Sequence, residues 1–195
     1  MPRPAPRTLK VIRSNFLTPH MLRVTLGGPD MANFPKDQES AYVKLIFPQP
    51  VHGHSLTRTY TISGQRHNEI DVDFAIHAGE GPASTWAMNA QPGNRILVGG
   101  PGPRKLINTS ADWFLLAGDM TALPAIKINL AHLPRDAQGY VVLEVVDESD
   151  IQPLKSPPNS EVHWVVNSSA DITGSALLDR IQQLYWLPGP PSVWA

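Results

Sequence analysis

Residues 69–87 read EIDVDFAIHAGEGPASTWA, and the periodicity changes halfway along. Over residues 69–77 the apolar residues alternate. Ile70, Val72, Phe74 and Ile76 fall on one face, with Asp71, Asp73, Ala75 and His77 on the other, which is the pattern of a strand. Gly79 and Gly81 then permit close backbone approach, and Pro82 opens a helix predicted over 82–90, because proline is tolerated in a first turn. The first amides of such a helix face an anion, and Ser84 and Thr85 add hydroxyl donors.

Upstream, RTYTIS (residues 58–63) forms a further predicted strand, with Arg58, Tyr60 and Ile62 on one face and Thr59, Thr61 and Ser63 on the other. An arginine offers a two-pronged donor to a diphosphate, a tyrosine a flat face to an aromatic ring, and a hydroxyl a donor or acceptor to a ring nitrogen. Each residue alone is ordinary strand chemistry; together with the glycine-proline helix opening they form a pattern. Shorter strands are predicted at 21–26, 42–47 and 94–98. Their turns draw on 20 prolines and 14 glycines, which favours a small antiparallel barrel over a helical bundle. Lys44 sits mid-strand, sharing a face with Tyr42 and Ile46.

Past residue 103 the grammar changes. An almost continuous apolar strand at 112–117 leads into a helix over 122–133, with Thr121 as its expected N-cap. Strands at 140–146 and 162–166, a helix at 174–184 and a strand from 192 complete an α/β pattern with a mostly parallel sheet. Two domains are expected, 1–107 and 108–195. The first carries 12 Lys or Arg against 7 Asp or Glu, the second 4 against 10. The basic half suits anionic ligands such as phosphates.

Composition excludes several classes. With no cysteine, thiol catalysis, cysteine-held zinc and clusters on protein thiolates are ruled out. No apolar run reaches the ~18 residues of a membrane helix, and the N-terminus lacks the apolar stretch of a secretory signal, so a cytoplasmic protein is expected. His52-Gly53-His54 reads as a loop, not a metal site. No phosphate-binding GxxxxGK[ST] occurs, and a pI near 6.6 without basic-aromatic clusters gives no support to nucleic-acid binding.

Three stretches, RTYTIS from Arg58, DFAIHAGEGPASTWA from Asp73 and LLAGDMTALPAI from Leu115, resemble the siderophore-interacting protein family. These are flavin-dependent ferric-siderophore reductases of the ferredoxin-reductase-like superfamily. The resemblance implies an all-β flavin-binding antiparallel barrel followed by an α/β NAD(P)H-binding-like domain. It implies FAD as cofactor, NADPH, NADH or reduced ferredoxin as electron donor, and a ferric siderophore as substrate. Arg58 and the helix opening at Gly81, Pro82, Ala83 and Ser84, with His77, would hold the diphosphate. Tyr60, with Thr59, Thr61, Ile62 and Ser63, would meet the isoalloxazine. Asp73, Ala75 and Trp86 belong to the same implied site, with Asp119, Thr121 and Ala122 on the adenine side. Lys44 is an outward lysine or, on the resemblance, a cation facing an anionic iron chelate. Ser63 stands where many members carry a second basic residue, and Met120 where an acidic one is usual. Members continue beyond the position of Ala195, so a C-terminally shortened second domain is expected. Two other functions remain open: a different flavin reductase of this superfamily, and a siderophore- or flavin-binding protein without turnover.

Overall fold

The computed structural model describes residues 5–47, 55–76, 81–168 and 175–194. The chain divides into two compact units between Lys105 and Leu106, slightly before the boundary drawn from sequence.

The first unit is a closed antiparallel barrel of six strands: β1 (Arg7–Thr18), β2 (Met21–Gly27), β3 (Tyr42–Phe47), β4 (Leu56–Arg66), β5 (Glu69–Ala75) and β6 (Arg95–Gly99), in spatial order β1-β2-β5-β4-β3-β6. One helix, α1 (Pro82–Met88), lies between β5 and β6. Alternation fills the interior: Leu9, Val11, Val24, Leu26, Val43, Leu45, Ile62, Ile70, Val72, Phe74, Ile96 and Val98 are all buried in one cluster. β1 escaped sequence reading for a physical reason. Its register against β2 shifts between Val11 and Arg13 and again between Phe16 and Thr18, and these irregularities break the two-residue period.

The two faces of β5 fall as its alternation predicts, but Asp71 and Asp73 on the outer face are buried too. Arginines from neighbouring strands cover them. Arg23 of β2 binds Asp73 through both prongs, Arg66 of β4 binds Asp71 likewise, and Thr25 donates to Asp71 at 2.7 Å. Burial alone pushes the Asp71 carboxyl up. The hydrogen bonds from Arg66 and Thr25 and the charges of Arg23 and Arg66 outweigh it and hold the group below its ordinary value.

The second unit is a four-stranded parallel sheet ordered β10-β7-β8-β9, built from β7 (Trp113–Gly118), β8 (Gln138–Val145), β9 (Asn159–Val166) and β10 (Pro191–Trp194). Helix α2 (Leu123–His132) joins β7 to β8, and α3 (Ser175–Gln182) lies between β9 and β10. Trp113, Leu115, Ala117, Tyr140 and Val142 pack against Leu177, Ile181 and Leu184 on the α3 side. Gly118, on the alternate face of β7, packs against Ala122 and Ile126 of the α2 side. The sheet is therefore covered on both faces, which explains the unbroken apolar run of β7. Fully buried Asn129 of α2 accepts from the Ile107 amide at 2.7 Å and donates to the Ala125 carbonyl at 3.1 Å, pinning the start of this unit. Among the described residues, no helix is long and apolar enough to cross a membrane.

Candidate functional site

Strand β4 carries most of the first candidate site and has two different neighbourhoods. Its first half pairs with β3, Leu56 opposite Phe47 through Thr61 opposite Tyr42. Pairing with β5 starts only at Ile62 opposite Val72. Ile62 exchanges backbone hydrogen bonds with Ser40 and Ala41 on the β3 side. Strand alternation therefore turns the backbone N–H and C=O groups of Thr57 and Thr59, and the N–H of Thr61, toward the other edge, which has no strand partner at these positions among the described residues. A planar ligand with polar edges has donors and acceptors waiting there.

Side chains on this stretch follow the predicted faces. Arg58 pairs with Leu45, and Tyr60 with Val43, both inward-facing residues, while Thr59 pairs with exposed Lys44 and Thr61 with Tyr42 on the outer face. Arg58 is exposed and, among the described residues, donates only to the neighbouring Thr57 carbonyl, at 3.1 Å. In this it differs from Arg13, Arg23 and Arg66, all of which are ion-paired to carboxylates. Tyr60 is half-buried, its ring centroid 4.4 Å from that of Phe74. Burial pushes its phenol up, against the opposing charge of Arg58. Ile62 is wholly buried, its side chain in the core and its backbone N–H and C=O bonded to Ala41 and Ser40, so it offers no polar group to a ligand. Ser63 lies where β4 bulges between Ile62 and Gly64, and its Oγ is buried without a hydrogen-bond partner among the described residues. An orphaned buried hydroxyl beside an open strand edge fits a polar ligand atom at that position.

The remaining barrel residues take differing positions. Ala75 ends β5 opposite Met21. Asp73 is committed to Arg23. Gly81 is extended and precedes α1; Ser84 donates to its carbonyl at 2.9 Å, Pro82 is exposed and Ala83 is buried in the core. Trp86 packs on Phe47 and Phe74. His77 and the His52-Gly53-His54 loop lie outside the described residues.

In the second unit, β7, β8 and β9 are laid down in order to one side, and the chain then crosses to place β10 on the other side of β7. Beyond the carboxyl ends of β7 and β10 lies the switch point at which such sheets bind ligands. The turn after β7 is built differently from the sequence expectation. Thr121 does not cap α2. Instead Asp119 Oδ1 accepts from the Thr121 amide at 2.8 Å, the Thr121 hydroxyl at 2.5 Å and the Ala122 amide at 3.3 Å. The helix starts at Leu123 with no side-chain cap on Ala122. Asp119 thus shapes the turn, a role open to any Asp followed by a hydroxyl residue two positions on. The sequence reading also missed Glu144, a buried β8 carboxylate that accepts from the Leu177 amide at 3.2 Å and from Asn167 at 3.3 Å, anchoring the start of α3.

Two family models divide the chain between them. The siderophore-interacting FAD-binding domain matches residues 10–56 and 50–105, and the siderophore-interacting protein model matches residues 111–195. The chain belongs to the siderophore-interacting protein family. Within this family it is 36% identical over 181 residues to the ferric vibriobactin reductase ViuB of Vibrio cholerae, an alignment covering 83% of this chain and 66% of the relative. The chain thus spans just under two thirds of that relative's length. The crystal structure of the siderophore-interacting protein SipS from Aeromonas hydrophila superposes with a TM-score of 0.86 at 31% identity, covering 99% of this chain and 79% of SipS. The ferredoxin-NADP+ reductase of Plasmodium falciparum, at 17% identity and a TM-score of 0.60, covers 83% of this chain and 74% of its own, and shares the fold. The chain therefore combines a barrel of the flavin-binding type with an α/β domain of the ferredoxin-reductase fold.

Proposed function

We propose that the chain binds FAD and reduces Fe(III) held in a siderophore, drawing electrons from NADPH, NADH or reduced ferredoxin, in the cytoplasm. The observation that carries this reading is the open edge of β4. There an exposed arginine, a half-buried tyrosine and a buried serine hydroxyl follow one another over six residues of one strand, the arginine without a carboxylate partner and the hydroxyl without a hydrogen-bond partner among the described residues. When bound, FAD would supply the electron-transfer chemistry, with each two-electron donation from a nicotinamide matching the one-electron reduction of two ferric ions. Hard oxygen ligands hold ferrous iron poorly, so reduction releases the metal.

The protein's residues do the holding. Arg58 would neutralise diphosphate charge. Tyr60 would present its ring to the isoalloxazine, and Ser63 Oγ with the Thr59 and Thr61 backbone would hydrogen-bond its polar edge. His77 and the turn from Gly81 to Ser84 would complete the diphosphate cradle, and Asp119 with Thr121 and Ala122 would border the adenine side. Lys44, exposed beside Thr59, would attract the anionic iron chelate.

The test is the visible spectrum of the purified chain, release of its chromophore, and ferric-chelate reduction with each donor in turn. A flavin band that releases FAD, with donor-dependent loss of the ferric chelate, is expected. A protein that stays colourless with added FAD overturns the reading.

A further inference from the structure

Four aromatic rings from four elements meet in series at one end of the barrel. Tyr60 on β4 lies against Phe74 on β5, with centroids 4.4 Å apart and planes inclined by 41°. Phe74 meets Trp86 of α1 at 6.0 Å and 42°. Trp86 in turn meets Phe47, the last residue of β3, edge to face at 5.8 Å. Phe74 and Phe47 are buried, whereas Tyr60 and Trp86 are half-buried. The series therefore runs from α1 through the core to the Tyr60 ring.

The strand ladders explain why Tyr60 needs such backing. On the β3 side it is paired with Val43, but the β4–β5 ladder begins only at Ile62. Among the described residues Tyr60 thus has no ladder partner on its second edge. Strand geometry leaves the ring free to swing about χ1 and χ2, and what limits the swing is the neighbouring ring. Phe74 occupies that place, held by its own ladder partner Leu22 and by Trp86.

We propose that Phe74 is a positioning residue for Tyr60 and that Trp86 locks Phe74, so that helix α1 sets the tilt of the tyrosine ring. The proposal rests on the flavin reading above and deepens it. Trp86 then acts through Phe74, without contact to the ligand. The helix that follows the diphosphate turn and the ring that receives the isoalloxazine become parts of one packed unit. Disturbing that unit from within the core alters recognition of the flat ring system while leaving recognition of the diphosphate intact.

The test uses the full chain as wild type, Phe74→Leu, Phe74→Tyr and Trp86→Leu. Each is titrated with FAD, with riboflavin, which has the isoalloxazine but no diphosphate, and with ADP, which has the adenine and diphosphate but no isoalloxazine. Fluorescence quenching and the visible spectrum report riboflavin, calorimetry reports ADP, and near-ultraviolet circular dichroism of the ligand-free protein reports folding. Phe74→Leu is expected to weaken riboflavin binding about two- to tenfold and shift its bound spectrum. ADP affinity is expected to stay unchanged, with Phe74→Tyr restoring both riboflavin readouts. Trp86→Leu should act in the same direction, and the two leucine changes should combine less than additively because they act through one contact. Wild-type riboflavin affinity and spectrum in folded Phe74→Leu would overturn the proposal, as would equal losses of riboflavin and ADP. If Phe74→Leu does not fold, Trp86→Leu decides by the same criteria. A wild-type protein that binds neither FAD nor riboflavin sinks the flavin reading itself and the proposal with it, a pattern distinct because it precedes any substitution.

Discussion

Arg23 grips Asp73 across the β2–β5 ladder at two points, Nε to Oδ1 at 2.7 Å and Nη2 to Oδ2 at 2.8 Å, and the two are direct register partners. The pair belongs to a chain of charges that continues through Asp71, Arg66, Glu69 and Arg13. Removing a cation leaves a buried carboxylate short of a partner. Arg23→Ala is therefore expected to destabilise the barrel by roughly 2–3 kcal/mol, below the ~3–5 kcal/mol of a fully buried pair because the arginine remains partly exposed. Urea melts of the two proteins measure the difference; equal midpoints would show that the ladder is only decorative.

The same ladder sets an acid limit. Asp71 is held below its ordinary value of 3.8 and Glu69, chiefly by its hydrogen bond from Arg13, below 4.5. A carboxylate with a lowered folded pKa stabilises the fold above its unfolded pKa, and the gain disappears as pH falls through the folded value. Barrel stability should be level above about pH 5 and drop below about pH 4. Urea midpoints from pH 6 to 3 test this, and Asp71→Asn should flatten the acid limb while lowering the plateau.

His163 behaves oppositely in charge but alike in direction. Burial, aided by the Arg180 guanidinium, keeps its imidazole below the ordinary 6.5, with Glu161 opposing weakly. Its Nδ1 faces Arg180 Nη2 at 2.7 Å, which assigns Nδ1 as acceptor and the proton to Nε2. As pH falls through about 6.5 the unfolded chain takes up a proton before the folded one does. Stability of the α/β unit is therefore full above that pH and declines below it. His163→Gln should remove the decline between pH 7.5 and 5.5, read by thermal melts of that unit.

Arg58 is exposed and makes one local hydrogen bond among the described residues, so Arg58→Ala should leave the melting temperature unchanged. On the proposed function it should weaken FAD binding about tenfold or more, the scale of a lost charge-assisted contact to phosphate. Arg58→Lys should recover only part, having no fork. Flavin titration beside a thermal melt separates the two effects.

A Cβ added at Gly118 would lie 2.4 Å from the Ala122 Cβ. Gly118→Ala should displace the Asp119–Ala122 turn and destabilise the second unit by about 1–3 kcal/mol. Ala122→Gly placed in the same protein should return much of that loss, a compensation that a two-variant cycle of melts detects.

Where a strand keeps its two-residue period the sequence shows it, and β5 and the face carrying Arg58 and Tyr60 were legible on that ground. What alternation cannot show is the partner. Asp71 and Asp73 read as an outer polar face, and their burial depends on Arg23, Thr25 and Arg66 arriving from other strands. β1 was hidden by its own bulges. The resemblance named Ser63 as a site residue, but that its hydroxyl is buried without a partner among the described residues needed the bulge and the gap between the β3 and β5 ladders, since no property of a serine in a strand announces an orphaned oxygen. Asp119 and Thr121 were singled out correctly as a turn, but the capping atom was exchanged between them, because both residue types serve that role.

The order of the sheets bears on how the protein is made. β6 closes the barrel by pairing with both β1 and β3, and β10 covers one edge of β7 only after the whole α/β crossover has been laid down. β6 seals the barrel, whereas β10 adds an edge to an open sheet. On the ribosome, the nascent barrel remains an open sheet with bare edges until Arg95–Gly99 has emerged, and β7 waits in the same condition for Pro191–Trp194. Synthesis thus passes through a sticky, half-built sheet, and a pause just upstream of β6, the strand that closes the barrel, is where chaperones would be most needed.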